Sequence, residues 1–367
     1  MEKTAKLLKK PIAATLIAIL FGFLVSAVIL GMAGYNPFSA FSALINGIFG
    51  RPKYISNVLI KSTPLILTGV SVSFAYKMGL FNIGAEGQYI VGALAANIVG
   101  IVCDFHPVIQ IPLVLLAGVL AGAIYGGIAG WLKARFSINE VITGIMLNWI
   151  ALYLSNFVCK MEAFHKPDTD GTYRINESGF ISFFTNWKTT EAAGDFMKGH
   201  PVLGDILRTD VNAGILIALA LTLVISFILF KTTKGYELRA VGLNKAAAEF
   251  AGINVKRNMI QTMVIAGALA GIAAAISISG NNLHNITQLS AFESYGLNGL
   301  SVAFIAGGSP IGCIFSGLLF GGLLYGGQSV QYFTGAPSEI IDIMIGIIIF
   351  LIALKDIIRV FAEKLTK

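Results

Sequence analysis

Met78–Gln88, MGLFNIGAEGQ, is the stretch around which this chain is organised. One apolar span ends at Lys77 just before it, and a second begins within it and runs on through YIVGALAANIVG (89–100). Gly79, Gly84 and Gly87 interrupt the helical pattern, with the polar side chains of Asn82, Glu86 and Gln88 set among them. For a helix that starts near Met78, a rise of 1.5 Å per residue places Glu86 about 12 Å along its axis. A carboxylate at that depth in a bilayer costs roughly 2 to 4 kcal/mol, which favours a functional role, in a transport path or its hinge. Glycine-interrupted segments with polar groups are where transporters hold substrates, on freed backbone groups and half-helix ends. The competing reading is a satisfied packing site, with Glu86 bonded to the backbone of a neighbouring helix and the glycines present for close contact.

The rest of the composition puts that stretch in a membrane. Of 367 residues, 56% are hydrophobic and 12% charged, and the mean hydropathy is +0.78. A soluble domain carries about a quarter charged residues. Near-continuous apolar runs of helical length recur, such as Ile12–Met32, Val211–Phe230 and Ile340–Leu354. The alternating ten-residue segments of an outer-membrane barrel are absent. Ten spans fit the hydropathy, at about 12–33, 56–76, 79–102, 108–132, 139–160, 211–230, 258–279, 295–308, 311–332 and 338–354. The fold expected is an all-α polytopic membrane protein with a broken third helix, a single transmembrane domain over 1–367.

Net charge is +7, and its distribution is topogenic rather than suited to nucleic acid. With the N-terminus inside, Lys77, Lys133, Arg135, Lys231, Lys234, Arg239, Lys245, Lys256 and Arg257 share a side with the terminal clusters Lys3–Lys10 and Lys355–Lys367. Most outer basic residues fall in or beside one long loop, where charge counts for less. Both termini are therefore expected in the cytoplasm, and MEKTAKLLKK followed by an apolar run reads as a retained signal anchor. Lys61, within the second span, is expected to snorkel to the outer interface, and Pro64 to kink that helix.

Glycines fall four apart at Gly118, Gly122, Gly126 and Gly130, and the device returns at Gly267/Gly271, Gly308/Gly312 and Gly317/Gly321. Such faces let membrane helices pack backbone to backbone. The start GLFNIGAEGQYIVGALAA has a weak counterpart in GLNGLSVAFIAGGSPIGCIFSGLLFGG (296–322), an internal repeat of the kind many transporters carry. Two loops stand out. Residues 161–210 form a long outer loop, either a docking site for an external partner or a cap on the outer vestibule. Lys231–Arg257 is the longest inner loop, and its core Glu237–Ala251 reads as a short alanine-rich helix held against another protein.

The chemistry of an enzyme is missing. No glycine is followed directly by lysine, so there is no phosphate-binding P-loop, and no G-x-G occurs. Neither G-x-S-x-G nor H-E-x-x-H is present. His106, His165, His200 and His284 share no metal-ligand spacing and read as loop residues. Cys103, Cys159 and Cys313 stand alone; a bridge between Cys103 and Cys159 stays open. Glu86 is the one deep carboxylate, and Glu140 and Asp342 lie near span ends. Ion coupling normally needs several intramembrane carboxylates, so the energy source is expected in a separate motor subunit. An ion-coupled carrier working alone is the rival.

These residues resemble a known family. TPLILTGVSVSFAYKMGLFNIGAEGQYIVGALAA (63–96), ELRAVGLNKAAAEFAGINVKR (237–257) and SYGLNGLSVAFIAGGSPIGCIFSGLLFGG (294–322) are similar to permease subunits of bacterial ABC importers of the branched-chain amino acid/simple sugar permease family, and GLFNIGAEGQ resembles its nucleoside (guanosine/uridine-type) subgroup. The resemblance implies a multi-pass permease in the bacterial plasma membrane, without a cofactor of its own, that forms the path for a nucleoside or alternatively a ribose-type sugar. It implies a cytoplasmic ATP-binding subunit, a second permease subunit making a heterodimer, and an extracytoplasmic substrate-binding lipoprotein. Gly242, Ala246, Ala247, Glu249 and Gly252 would form the coupling helix on the ATPase. Asn82, Glu86 and Gln88 would line or gate the path, with Phe74, Tyr89 and Trp149 as aromatic candidates for stacking a base.

Overall fold

The computed structural model describes residues 11–184, 187–280 and 284–354. Among these residues the regular structure is helical, with isolated bridges such as Gly171–Thr287 and no β-strand. The α-helices are α1 (Pro11–Met32), α2 (Pro37–Phe49), α3 (Pro52–Lys77), α4 (Ala85–Val102), α5 (Pro107–Phe136), α6 (Glu140–Cys159), α7 (Glu191–Gly199), α8 (Pro201–Leu207), α9 (Gly214–Lys231), α10 (Thr233–Leu243), α11 (Lys245–Phe250), α12 (Val255–Gly280), α13 (Tyr295–Ile305), α14 (Pro310–Thr334) and α15 (Ser338–Ala353). Seven of them, α3, α4, α5, α6, α9, α12 and α14, are long and apolar enough to cross a membrane. The chain is a multi-pass membrane protein.

Several boundaries differ from the hydropathy reading, each for a local reason. The helix expected from residue 79 begins at Ala85, because Gly79 adopts a left-handed backbone (φ +73°) and the chain stays irregular through Gly84. A helix not expected, α2, starts where the Asn36 side chain accepts the Phe38 N–H and Pro37 supplies the first helical φ. The helix expected at Glu237–Ala251 is two helices. Asn244 breaks it with an extended backbone (φ −155°) and caps α11 through the Ala247 N–H. The long loop 161–210 holds α7 and α8. The terminal lysine clusters that set the expected orientation, Lys3–Lys10 and Lys355–Lys367, lie outside the described residues. The three cysteines are free, Cys103 and Cys159 included.

The described residues divide into two compact units, one within 59–318 and the other made of 11–58 with 319–354. In the smaller unit, Gly22 of α1 lies on Ile348 of α15, and the Ser26 hydroxyl donates to the Met344 carbonyl at 3.2 Å. In the larger unit, α5 and α12 make the most extensive helix pair. The glycine faces meet there: Gly122 packs directly on Gly267, and a Cβ on Gly271 would lie 3.1 Å from the Gly122 Cα. Helix α4 joins through Gly92, whose Cβ position is 2.6 Å from the Gly271 Cα. Between membrane helices there is little hydrophobic gain, so this close backbone packing carries the association. Gly267→Leu is expected to cost about 1–3 kcal/mol by overpacking. The check is the yield of monodisperse protein after detergent extraction, which should fall sharply.

Candidate functional site

The turn between α3 and α4 is held by side-chain amides. Asn82 and Gln88 bond each other reciprocally, each amide nitrogen donating to the other's oxygen at 2.9 Å, and Asn82 Nδ2 also donates to Ser71 Oγ at 3.1 Å. Asn148 of α6 grips both ends of the following segment: its Oδ1 accepts the Gly87 N–H at 2.7 Å, and its Nδ2 donates to the Ile83 carbonyl at 3.0 Å. Gly87 allows that approach, since a Cβ there would sit 2.9 Å from Asn148 Oδ1. A buried amide with all its partners specifies one backbone path.

Glu86 faces the other way, toward α13. Its Oε1 accepts the Ser294 N–H at 2.9 Å, and its Oε2 accepts the Gly296 and Leu297 N–H groups at 2.6 and 3.1 Å. These belong to the start of α13, where N–H groups have no intrahelical partner and the helix dipole favours an acceptor with negative charge. Ser294 reaches the position in a left-handed conformation (φ +65°), and Gly296 is required because a Cβ would run into the Ala85–Glu86 backbone. Helix α3 fixes the same end: Thr68 Oγ1 donates to the Tyr295 carbonyl at 3.0 Å.

A cavity of about 250 Å³ opens beside that junction. Tyr89 and Tyr295 stack on one another with centroids 5.3 Å apart and planes 28° apart, and both line it. Lys61 Nζ lies 5.8 Å from the Tyr295 ring centroid and acts electrostatically on Glu293, so this lysine, expected to snorkel, has partners inside the fold. Ser155, Ser277, His284, Asn285 and Glu293 supply further polar groups. His284 lies in the connection between α12 and α13 and is buried there. It stacks on Phe180 at 3.6 Å, and burial pushes its pKa down to about 4.

The α10–α11 segment meets the same turn from its opposite end. A Cβ on Gly242 would collide with the Lys77 carbonyl and lie 2.9 Å from the Met78 Cα. Thr262 Oγ1 of α12 sits 2.8 Å from the Met78 sulfur, closing the contact from a third side. Lys234 and the Asn258 amide hold Glu237 at 3.2 and 3.3 Å and keep its carboxyl below the usual carboxylate range. Beyond these contacts, Leu243 and Phe250 are 89% and 96% exposed, large apolar side chains with little cover from the rest of the chain.

The residues singled out from the sequence therefore fall into separate groups. Asn82, Glu86 and Gln88 are fully buried and bonded to protein groups, and none lines the cavity. Tyr89 lines it. Phe74 is buried within α3, and Trp149 is half-exposed on α6, stacked on Tyr153 and 4.7 Å from Phe292. Gly242 touches the turn, while Ala246, Ala247, Glu249 and Gly252 are exposed along α11 and just past it. Sequence reasoning missed Glu293, Tyr295, Asn285 and His284, which fall in or next to what reads as a plain connection between two spans. The usable signal was Glu293, a carboxylate one residue from a serine that opens an apolar run.

Comparison with known proteins places the whole chain. The model of the branched-chain amino acid transport system / permease component family matches residues 54–353. The guanosine ABC transporter permease protein NupP of Bacillus subtilis is 38% identical over 352 residues, covering 96% of each chain. The nucleoside ABC transporter permease protein NupB of Lactococcus lactis is 38% identical over 369 residues, 99% of this chain and 95% of that one. The glucose ABC transporter permease protein TsgB13 of Haloferax volcanii is 28% identical over 343 residues, 94% and 87% of the two chains. No solved structure shows a significant match. With a family model covering most of its length and relatives aligned almost end to end, the chain belongs to the family of branched-chain amino acid transport system permease components.

Proposed function

We propose that this chain is the permease subunit of an ATP-driven importer that carries nucleosides across the bacterial plasma membrane. The observation that carries the substrate is the near full-length likeness, 38% to two permeases named for guanosine or nucleosides against 28% to one named for glucose. Ten membrane crossings with both termini in the cytoplasm put α10 and α11 on the cytoplasmic side. Leu243 and Phe250 then present an apolar surface to an ATP-binding subunit, with Ala246, Ala247 and Glu249 beside them. A second permease subunit completes the pore, and an extracytoplasmic binding protein delivers the nucleoside.

The route of coupling follows from contacts that already touch. Motion of α10 acts on Met78 through Gly242, and the turn carries it to Glu86, whose three hydrogen bonds set the start of α13. Tyr295 is the first residue of that helix and part of the cavity wall. Asn82, Gln88 and Asn148 act in this scheme as the stiffening of the hinge, not as substrate contacts.

Labelled guanosine uptake into proteoliposomes tests the proposal. Accumulation is expected with the chain assembled with its second permease, ATPase and binding protein, and with ATP. Ribose accumulation without guanosine would keep the mechanism and change the substrate. Gradient-driven uptake by this chain alone would overturn both.

A further inference from the structure

We propose that the cavity beside α13 is a nucleoside subsite in which Glu293 and the Asn285 amide oxygen accept hydrogen bonds from a pair of donors on the ligand, while the base lies along Tyr89 and Tyr295. The proposal rests on the nucleoside reading above and adds to it the residues that select the ligand.

The balance of donors and acceptors in the cavity carries the inference. Asn285 gives its Nδ2 hydrogen to the Thr172 carbonyl at 3.2 Å, yet its Oδ1 is buried without a protein partner. Glu293, whose side chain reaches the surface, contributes a carboxyl group that only accepts when ionised; desolvation pushes its pKa up, and the neighbouring charge of Lys61 pulls against that. His284 Nδ1 lies 3.0 Å from the Ile278 carbonyl, an acceptor, so this nitrogen donates. In the neutral ring that leaves Nε2 as a further acceptor. Ser277 gives its hydrogen to the Ala273 carbonyl at 3.1 Å. Tyr89, Tyr295 and Ser155 bring one hydroxyl donor each, fewer than the acceptor sites of the Glu293 carboxylate, the Asn285 oxygen and His284 Nε2, and the buried Asn285 oxygen is costly to leave unmatched, so the wall suits a ligand rich in donors.

A nucleoside carries two such donor pairs. One is the ribose 2′,3′-diol, and the other is the N1–H and exocyclic amine on the edge of guanine. Either pair matches a carboxylate bidentately, and the aromatic pair offers a face that any base can use.

The test uses the assembled transporter in proteoliposomes, reading guanosine KM and kcat for the wild type, Glu293→Gln and Asn285→Ala, with ATPase activity confirming assembly. KM is expected to rise about tenfold or more in Glu293→Gln, the usual loss for a hydrogen bond to a charged group, and less in Asn285→Ala. Competition by inosine and 2′-deoxyguanosine separates the two donor pairs. Loss in Glu293→Gln of the wild-type preference for guanosine over inosine assigns Glu293 to the base edge, and loss of the preference over 2′-deoxyguanosine assigns it to the ribose; either change from wild type supports the subsite. If the wild type takes up guanosine while both variants keep its KM and its ranking of competitors, the subsite is overturned and the nucleoside reading stands. If the wild type takes up no nucleoside, the reading beneath it fails first.

Discussion

Glu86→Leu is expected to leave the permease unstable in detergent and its uptake reduced by at least an order of magnitude, with Glu86→Gln second in severity. The reason lies in what each change strands. Leucine removes the acceptor of three N–H groups, buried at Gly296 and half-buried at Ser294 and Leu297, and offers nothing in return. A buried donor that loses its partner costs about 1–3 kcal/mol, so three exceed what a marginally stable fold tolerates without local rearrangement. Glutamine keeps one acceptor oxygen but turns an NH₂ toward at least one donor, so it saves only part of the loss. The damage should begin at α13, because Gly296 packs against the Glu86 backbone and α13 starts one residue earlier. Thermal midpoints from fluorescence-detected size exclusion, measured alongside uptake, decide the matter. A Glu86→Leu protein with the wild-type midpoint and wild-type uptake would show that the junction does not matter to either.

How much of this was readable from the chain differs by level. The apolar runs gave the long helices because hydropathy depends only on local composition, and the four-residue glycine spacing gave the close-packing faces. Which faces meet did not follow: Gly122 finds Gly267 far along the sequence, and only the folded chain pairs them. The stretch 78–88 was legible as special, since a carboxylate and two amides among glycines are costly in an apolar region unless something there satisfies them. The partners of Glu86 were not, for they are backbone groups some 200 residues away and carry no side-chain signature. The breaks at Gly79 and Asn244 turn on single φ angles, which hydropathy does not register although residue type does. The cavity stayed hidden because its polar residues come from four separated segments, around 89, 155, 277 and 284–295.

Gly242→Val is expected to separate ATP hydrolysis from transport. The added Cβ would overlap the Lys77 carbonyl and crowd the Met78 Cα, and a branched side chain has no rotamer that avoids the backbone it meets. Helix α10 must then stand off the turn, while its tie to α12, from the Asn258 amide to Glu237 at 3.3 Å, is untouched. The exposed surface around Leu243 and Phe250 is also unchanged, so the ATP-binding subunit should still dock and still hydrolyse ATP. What fails is transmission, because the turn that leads to Glu86 and α13 no longer follows α10. Nucleoside moved per ATP should fall about tenfold, given that a displaced contact of roughly 1.4 kcal/mol shifts an equilibrium by that factor. Ala246→Arg provides the contrast. Ala246 is exposed on α11, away from the turn, and a charge there should weaken docking itself, lowering hydrolysis and transport together. Two variants a few residues apart would thus fail differently, one by losing the motor and one by losing its grip on the membrane helices. Equal loss of hydrolysis in both would mean that Gly242 belongs to the docking surface, and that the contact with Met78 carries no signal.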